Sequence, residues 1–270
     1  AVDGLSPGGF PAAARAIMTT DAFPKWARRS AVVGDGTVSV VGMAKGAGMI
    51  HPNMATMLSV LVTDAVVEVE AASAILKEAV DGSFNRLSVD ADTSTNDTVI
   101  LLASGTAPGA RVKGPSSPAY ATLVEAVSAV AGELSRMIVR DGEGATKVVD
   151  VIVEGLGDEK AAEAVARAIA NSVLVKAALA GADPNWGRIA AAIGNSGVAC
   201  DLDRLMVTVD DVALVRDGAL VSERARRTAK KAMRADEFSL RVGLGKGPGR
   251  ATVVTSDLTE AYLRLNSAYS

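Results

Sequence analysis

The chain has 270 residues, 49% of them hydrophobic and 3% aromatic, and a formal net charge of −3. At about 100–200 residues per domain it holds one large or two ordinary domains with ample core, and the acidic balance argues against a nucleic-acid binder, which needs a basic face. A single cysteine, Cys200, excludes an intramolecular disulfide. A single histidine, His51, with no CxxC pair argues against a zinc site, and no apolar run reaches the ~20 residues of a membrane span.

The first ten residues, AVDGLSPGGF, are glycine-rich and poor in core character. Pro11 to Met18 reads as a short helix ending near Thr19-Thr20-Asp21. Val32-Val33 and Thr37–Val41 flank Gly34-Asp35-Gly36 as a hairpin. A loop from Gly42 to Ala55 follows, then a strand from Thr56 to Thr63. Ala72, Ile75, Leu76, Ala79 and Val80 fall at helical spacing. Strand candidates lie at Leu87–Val89 and Thr98–Leu102. Leu123, Val127, Val130, Leu134 and Met137/Ile138 mark a long amphipathic helix.

Gly142 and Gly144 break that pattern, and a domain boundary is expected at Thr146–Lys147, giving domains 1–146 and 147–270. The second opens with strand Val148–Val153 and helix Glu159–Ala170. A helical piece Val173–Leu179 and an apolar run Ile189–Ile193 follow. Pro184 and Gly187 predict a turn before that run. Strands Leu205–Val209 and Val212–Val215, helix Val221–Met233 and strands Phe238–Leu244 and Arg250–Thr255 complete the chain. GLGKGPG at 243–249 lacks the GxxxxGK[ST] spacing of a phosphate loop and sits between strands, so it reads as a hairpin turn. The basic run Arg224–Lys231 reads as a solvated helix face, and Cys200 as a small buried residue. No internal repeat is visible.

Lys45-Gly46-Ala47-Gly48-Met49-Ile50-His51-Pro52-Asn53-Met54-Ala55-Thr56 is a glycine-rich run that stops at the strand. A cut before Thr56 would leave its Oγ as nucleophile beside a free α-amine able to act as base. Read from residues alone, a threonine at a loop–strand junction is equally an ordinary one, and His51 an ordinary loop residue. The wider pattern narrows this. KGAGMIHPNMATML occurs with Ala16-Ile17-Met18-Thr19-Thr20-Asp21, Ser94-Thr95-Asn96-Asp97-Thr98 and Asp141-Gly142-Glu143-Gly144-Ala145-Thr146-Lys147. Asp183-Pro184-Asn185-Trp186-Gly187-Arg188 and Arg264-Leu265-Asn266-Ser267-Ala268-Tyr269 follow in order. This set resembles the ornithine acetyltransferase family, also called the bifunctional glutamate N-acetyltransferase family of arginine biosynthesis, from the first residues to the last.

The resemblance implies a layered αββα sandwich of the N-terminal-nucleophile type with a second, smaller α/β domain. It implies autoproteolysis between Ala55 and Thr56, then transfer of acetyl from N-acetylornithine to glutamate through acetyl-Thr56. Thr19, Lys45, Thr56, Glu143 and Asn266 match the substrate contacts. Lys45 suits the α-carboxylate, Glu143 the ornithine side-chain ammonium, and Asn266 can donate and accept hydrogen bonds. Read alone, Lys45 is a solvated loop lysine, Glu143 an acidic turn residue and Asn266 an element terminus. Trp186 takes a structural or pocket-wall role. No cofactor or metal is required, with acetyl-CoA a possible donor. The partners implied are the small substrates and a hetero-tetramer of two processed chain pairs in the cytoplasm. Two departures accompany the match. The family's N-terminal portion, with its Ser-Thr-Gly-type oxyanion motif, has no counterpart here, and Asn266 is followed by only four residues, so that Ser270 stands nearest to the family's last contact. A hydrolase of the self-processing aminopeptidase type and an inactive homologue are the competing readings.

Overall fold

The computed structural model describes residues 6, 8–50, 57–92, 96–109 and 111–268. His51, Ala55, Thr56 and Ser270 lie outside them. The chain forms two units, Ala1–Leu87 with Asp92–Asp141, and Ser88–Ala91 with Gly142–Ser270. The excursion of Ser88–Ala91 into the second unit has no signal in the sequence pattern.

The first unit begins with helix α1 (Phe10–Ala16), which has a proline in its first turn, where no N–H is missed. Strands β1 (Lys25–Val33) and β2 (Gly36–Lys45) pair antiparallel around the expected Gly34-Asp35 turn. The loop expected from Gly42 is therefore strand as far as Lys45. Gly42 reads as a breaker, yet it is buried, and a Cβ on it would lie 2.6 Å from Leu61 and Val130 side chains. The glycine is there to let a helix approach the sheet. Strand β3 (Leu58–Thr63), helix α2 (Val69–Asp81), strands β4 (Leu87–Ser88) and β5 (Thr98–Ala103) and helix α3 (Pro118–Arg140) follow. The sheet runs β1-β2-β3-β5, with β3 and β5 parallel. The apolar stripe expected on α3 is real: Leu123, Val127, Val130, Leu134 and Ile138 are all fully buried. At roughly 1.5–3 kcal/mol per side chain, this stripe contributes on the order of 10 kcal/mol before entropy. Helix α3 lies on β1 and β2, and α2 lies against α3, so the unit presents a helix layer on one sheet face.

The second unit is built on a seven-stranded sheet in the order β4-β11-β6-β10-β7-β8-β9. Its elements are β6 (Val148–Gly155), α4 (Glu159–Asn171), α5 (Val173–Ala180), α6 (Trp186–Gly194), β7 (Met206–Val209), β8 (Val212–Arg216) and β9 (Ala219–Leu220). Helix α7 (Glu223–Ala232), β10 (Glu237–Gly243), β11 (Gly247–Ser256) and α8 (Glu260–Ser267) complete it. Asp158, Ser172, Asn185, Ser222 and Thr259 each cap a helix by accepting a first-turn N–H. The Asn185 cap starts α6 at Trp186, so Gly187 is helical, and the expected turn lies before it. Strands β10 and β11 do not form a hairpin. They flank β6, β10 parallel and β11 antiparallel to it. The Gly243–Gly249 run therefore crosses the end of β6, so tightly that a Cβ on Gly247 would sit 2.0 Å from the Leu156 carbonyl oxygen. The mixed α/β class expected from the sequence is the class observed.

Candidate active site

The register of the first sheet assembles the first cluster. Lys25, which opens β1, pairs with Ala44 near the end of β2, so the Thr-Thr-Asp that precedes β1 reaches the β2 exit. There Asp21 acts as a hub. Its carboxylate accepts from Thr19 N at 3.0 Å, Gly46 N at 2.8 Å and Lys25 Nζ at 2.5 Å. Lys25 also reaches Asp141 at 2.5 Å, and Asp141 accepts from Ala22 N. The Lys25 and Asp21 side chains are fully buried. Burial alone would raise the Asp21 carboxyl, but hydrogen bonds from Gly46, Lys25 and Thr19 overcome it and hold it below its ordinary value. Thr19 and Lys45, matched to substrate contacts, are thus tied to one carboxylate through the main chain, Lys45 by way of its neighbour Gly46.

Half-buried Lys45 pairs with Leu58, and Leu58 with Thr98. The row before these holds Met57 and Asp97. Asp97 Oδ1 accepts from Met57 N at 2.7 Å, and Thr98 N donates to the Met57 carbonyl at 3.1 Å. Burial raises the Asp97 carboxyl, with the Met57 N–H and the Lys45 charge opposing it. A cavity of about 320 Å³ adjoins it, walled by Leu76, Val80, Phe84 and Val99, with Met57 and Asp97 in its lining.

The second cluster belongs to the second unit. Asn266 lies in α8 and donates from Nδ2 to Glu143 Oε2 at 3.1 Å. The loop carrying Glu143 is held at three points. Asp257 accepts from Thr146 N, Thr146 Oγ1 and Lys147 N at 2.8, 2.6 and 3.0 Å. Thr259 Oγ1 donates to the Gly144 carbonyl at 2.6 Å. Gly144 has φ +68° and comes so close to α8 that a Cβ would lie 2.4 Å from Tyr262 N. Trp186 packs on the second unit's core, as does half-buried Cys200, whose thiol is raised by burial. The basic residues of α7 face solvent, and only Ala229 is buried. Among the described residues no group of His, Cys, Asp and Glu is arranged to hold a metal, and no helix is long and apolar enough to cross a membrane.

Of the matched residues, then, Thr19 and Lys45 share one cluster and Glu143 and Asn266 the other. Reading by residue type passes over Asp21, Asp97 and Asp257. The first two stand inside quoted motifs, as an acid just after a helix and an acid just before a strand.

Fold and clusters define a two-unit α/β protein whose buried acids gather main-chain N–H groups at strand ends and loop mouths. The ArgJ family model matches residues 2–270. Curated relatives that carry the name Arginine biosynthesis bifunctional protein ArgJ match along nearly the whole chain. That of Bradyrhizobium diazoefficiens is 44% identical over 266 residues, covering 97% of this chain and 64% of the relative. That of Rhizobium meliloti is 45% identical (95% and 63%), and that of Nitratidesulfovibrio vulgaris 48% (95% and 64%). A crystal structure of the ArgJ protein from Bacillus halodurans matches with TM-score 0.73 and 35% identity, covering 76% of this chain and 96% of that one. The chain belongs to the ArgJ family. It spans a little under two thirds of the length of these curated relatives.

Proposed function

We propose that this chain carries the self-processing acetyltransferase chemistry of arginine biosynthesis. The observation that carries the reading is the family match along the whole chain, joined to a geometry in which Asp21 binds the main chain at both Thr19 and Gly46. In the first reaction Thr56 Oγ attacks the Ala55 carbonyl carbon and the Ala55–Thr56 C–N bond breaks. The hydroxyl proton passes to the freed nitrogen, and water then hydrolyses the ester. The products are residues 1–55 and 56–270.

In the second reaction the α-amine of Thr56, with an ordinary pKa of ~7.7–8, serves as base near neutrality. Thr56 Oγ takes the acetyl group from N-acetylornithine, ornithine leaves with the proton, and glutamate collects the acetyl group. Lys45 binds the substrate α-carboxylate, Thr19 offers its hydroxyl, and Glu143, aligned by Asn266, takes the side-chain ammonium. The scheme needs no external cofactor, and acetyl-CoA serves as an alternative donor. Two copies of each processed chain form the working assembly in the cytoplasm.

Denaturing intact-mass spectrometry of the protein beside Thr56→Ala tests the reading. Two fragments in the parent and one uncut chain in the variant are expected, followed by transfer of labelled acetyl from N-acetylornithine to glutamate. Release of free acetate with no labelled acetylglutamate would instead mark a hydrolase. An uncut parent would overturn the scheme.

A further inference from the structure

The Asp183–Arg188 motif and the basic run on α7 take no part in the proposed reaction, and the second unit sets them against each other. Asp183 and Pro184 form one wall of a cleft of about 260 Å³, and Glu223, Arg226, Arg227 and Lys230 of α7 form the other. That volume approaches the roughly 300 Å³ at which ligand sites begin. The four α7 positions fall at i, i+3, i+4 and i+7, so they share one face of the helix. The Asp183 wall is set by a tight turn. Ala182 holds a left-handed backbone at φ +48°, and Asp183 N donates to the Ala178 carbonyl at 2.8 Å.

The charges of the cleft are unevenly used. Arg226 pairs with Glu223 at 3.8 Å, and Asp183 Oδ2 accepts from Asn185 Nδ2 at 3.2 Å. Arg227 and Lys230 meet no carboxylate among the described residues, and Asp183 Oδ1 accepts no hydrogen bond there. Two unpaired cations facing a carboxylate with an unused oxygen suit a ligand with two negative groups and one positive group. We propose that the cleft binds an acidic α-amino acid, its two carboxylates on Arg227 and Lys230 and its ammonium on Asp183. Three cations against two carboxylates leave the lining positive by one charge, which matches a ligand of net charge −1. A guanidinium fork takes a carboxylate bidentately, whereas a basic amino acid brings like charge to this wall.

Helix α7 also ends on the loop that carries Glu143. Lys147 Nζ donates to the Met233 carbonyl at 2.9 Å and to the Ala235 carbonyl at 3.4 Å. An occupant that steadies α7 therefore steadies Lys147 and slows amide exchange at 145–147.

The test is amide-resolved NMR of the full chain at low salt, titrated with L-aspartate. Aspartate is the probe because glutamate is also the proposed acetyl acceptor at the other site. Saturable shifts are expected at 181–187 and 222–231, with slower exchange at 145–147. Succinate, which lacks the ammonium, is expected to bind about 10-fold more weakly, and L-lysine to leave these resonances unmoved. Arg227→Gln combined with Lys230→Gln, both at exposed positions, is expected to weaken aspartate at least about 10-fold with an unchanged melting temperature. Asp183→Asn brings aspartate down to the level of succinate. No saturable shift in the cleft up to about 20 mM aspartate overturns the site. Succinate binding as tightly as aspartate, or L-lysine binding as well as either, overturns the ligand class. Shifts in the cleft with unchanged exchange at 145–147 overturn the link to the loop. Should a variant lose its fold, the parent's order of aspartate, succinate and L-lysine decides. None of these readings depends on whether the chain is cut before Thr56.

Discussion

Each unit buries a lysine, and the two are stabilised in opposite ways. Lys25, fully buried in the first unit, sits between two carboxylates, Asp21 and Asp141, at 2.5 Å from each. Lys176, 2% exposed in the second, is met by neutral oxygens: Thr255 Oγ1 at 2.8 Å and the Ser256 carbonyl at 2.5 Å. Desolvation therefore pulls the Lys176 amine down to about 8, with Asp257 and Asp90 too weakly coupled to restore it. The ion-paired lysine belongs to a carboxylate that gathers Thr19 and Gly46, so its charge keeps a site in shape. The lysine met by neutral oxygens ties α5 to the end of β11. A buried charge thus marks function more credibly when its partners also hold the main chain of the site.

The comparison is broken most sharply at Lys25. Lys25→Met leaves two facing carboxylates without their shared cation, and the expected loss is about 3–5 kcal/mol, read by urea unfolding. A loss under 1 kcal/mol would show that the Asp21 hub does not depend on it. Lys176 sharpens the contrast through pH. Its folded pKa lies below its unfolded one of 10.5, so between about pH 8 and 10.5 the unfolded chain binds the extra proton and stability rises with pH. The parent is expected to gain on the order of 3 kcal/mol across that window relative to Lys176→Met. Identical slopes for the two would refute the neutral solvation of this amine. The smallest expected effect concerns the loop that carries Glu143. Gly144→Ala combines φ +68° with contact on the α8 backbone and is expected to cost about 2 kcal/mol. Thermal melts read that cost. A larger relative loss in KM than in kcat is expected wherever Glu143 binds substrate.

Much of this architecture can be read from the residues alone. Helix α3 announces itself by five apolar positions at helical spacing, and β6, α4 and β10 by their patterns, because each has one face that must be dry. Strand β1 does not. In Lys25–Val33 the central Arg28, Arg29 and Ser30 all face solvent, so alternation fails where the strand is longest exposed. The loop predicted from Gly42 fails for the opposite reason, since a missing side chain there serves packing rather than a turn. The hairpin predicted at 243–249 fails because local glycine chemistry does not say which strand lies between its ends. The site divides in the same way. Thr19, Lys45, Glu143 and Asn266 are singled out through motif resemblance, whereas links around them join residues far apart in the chain, such as Asn266 to Glu143 across 123 positions and Lys25 to Asp141 across 116. Such pairings leave no periodic trace.

The placement of β6 between β10 and β11 has a consequence during synthesis. A ribosome that has made Val148–Gly155 has produced the middle of a sheet with neither neighbour in existence. The first arrives with Glu237–Gly243 and the second only with Gly247–Ser256. Helices α4 to α7 emerge in the interval and have no finished surface on which to settle. The pairings that complete this sheet are therefore long-range in sequence, the kind that slows folding, and until they form the apolar β6 strand has no partner to cover its edges.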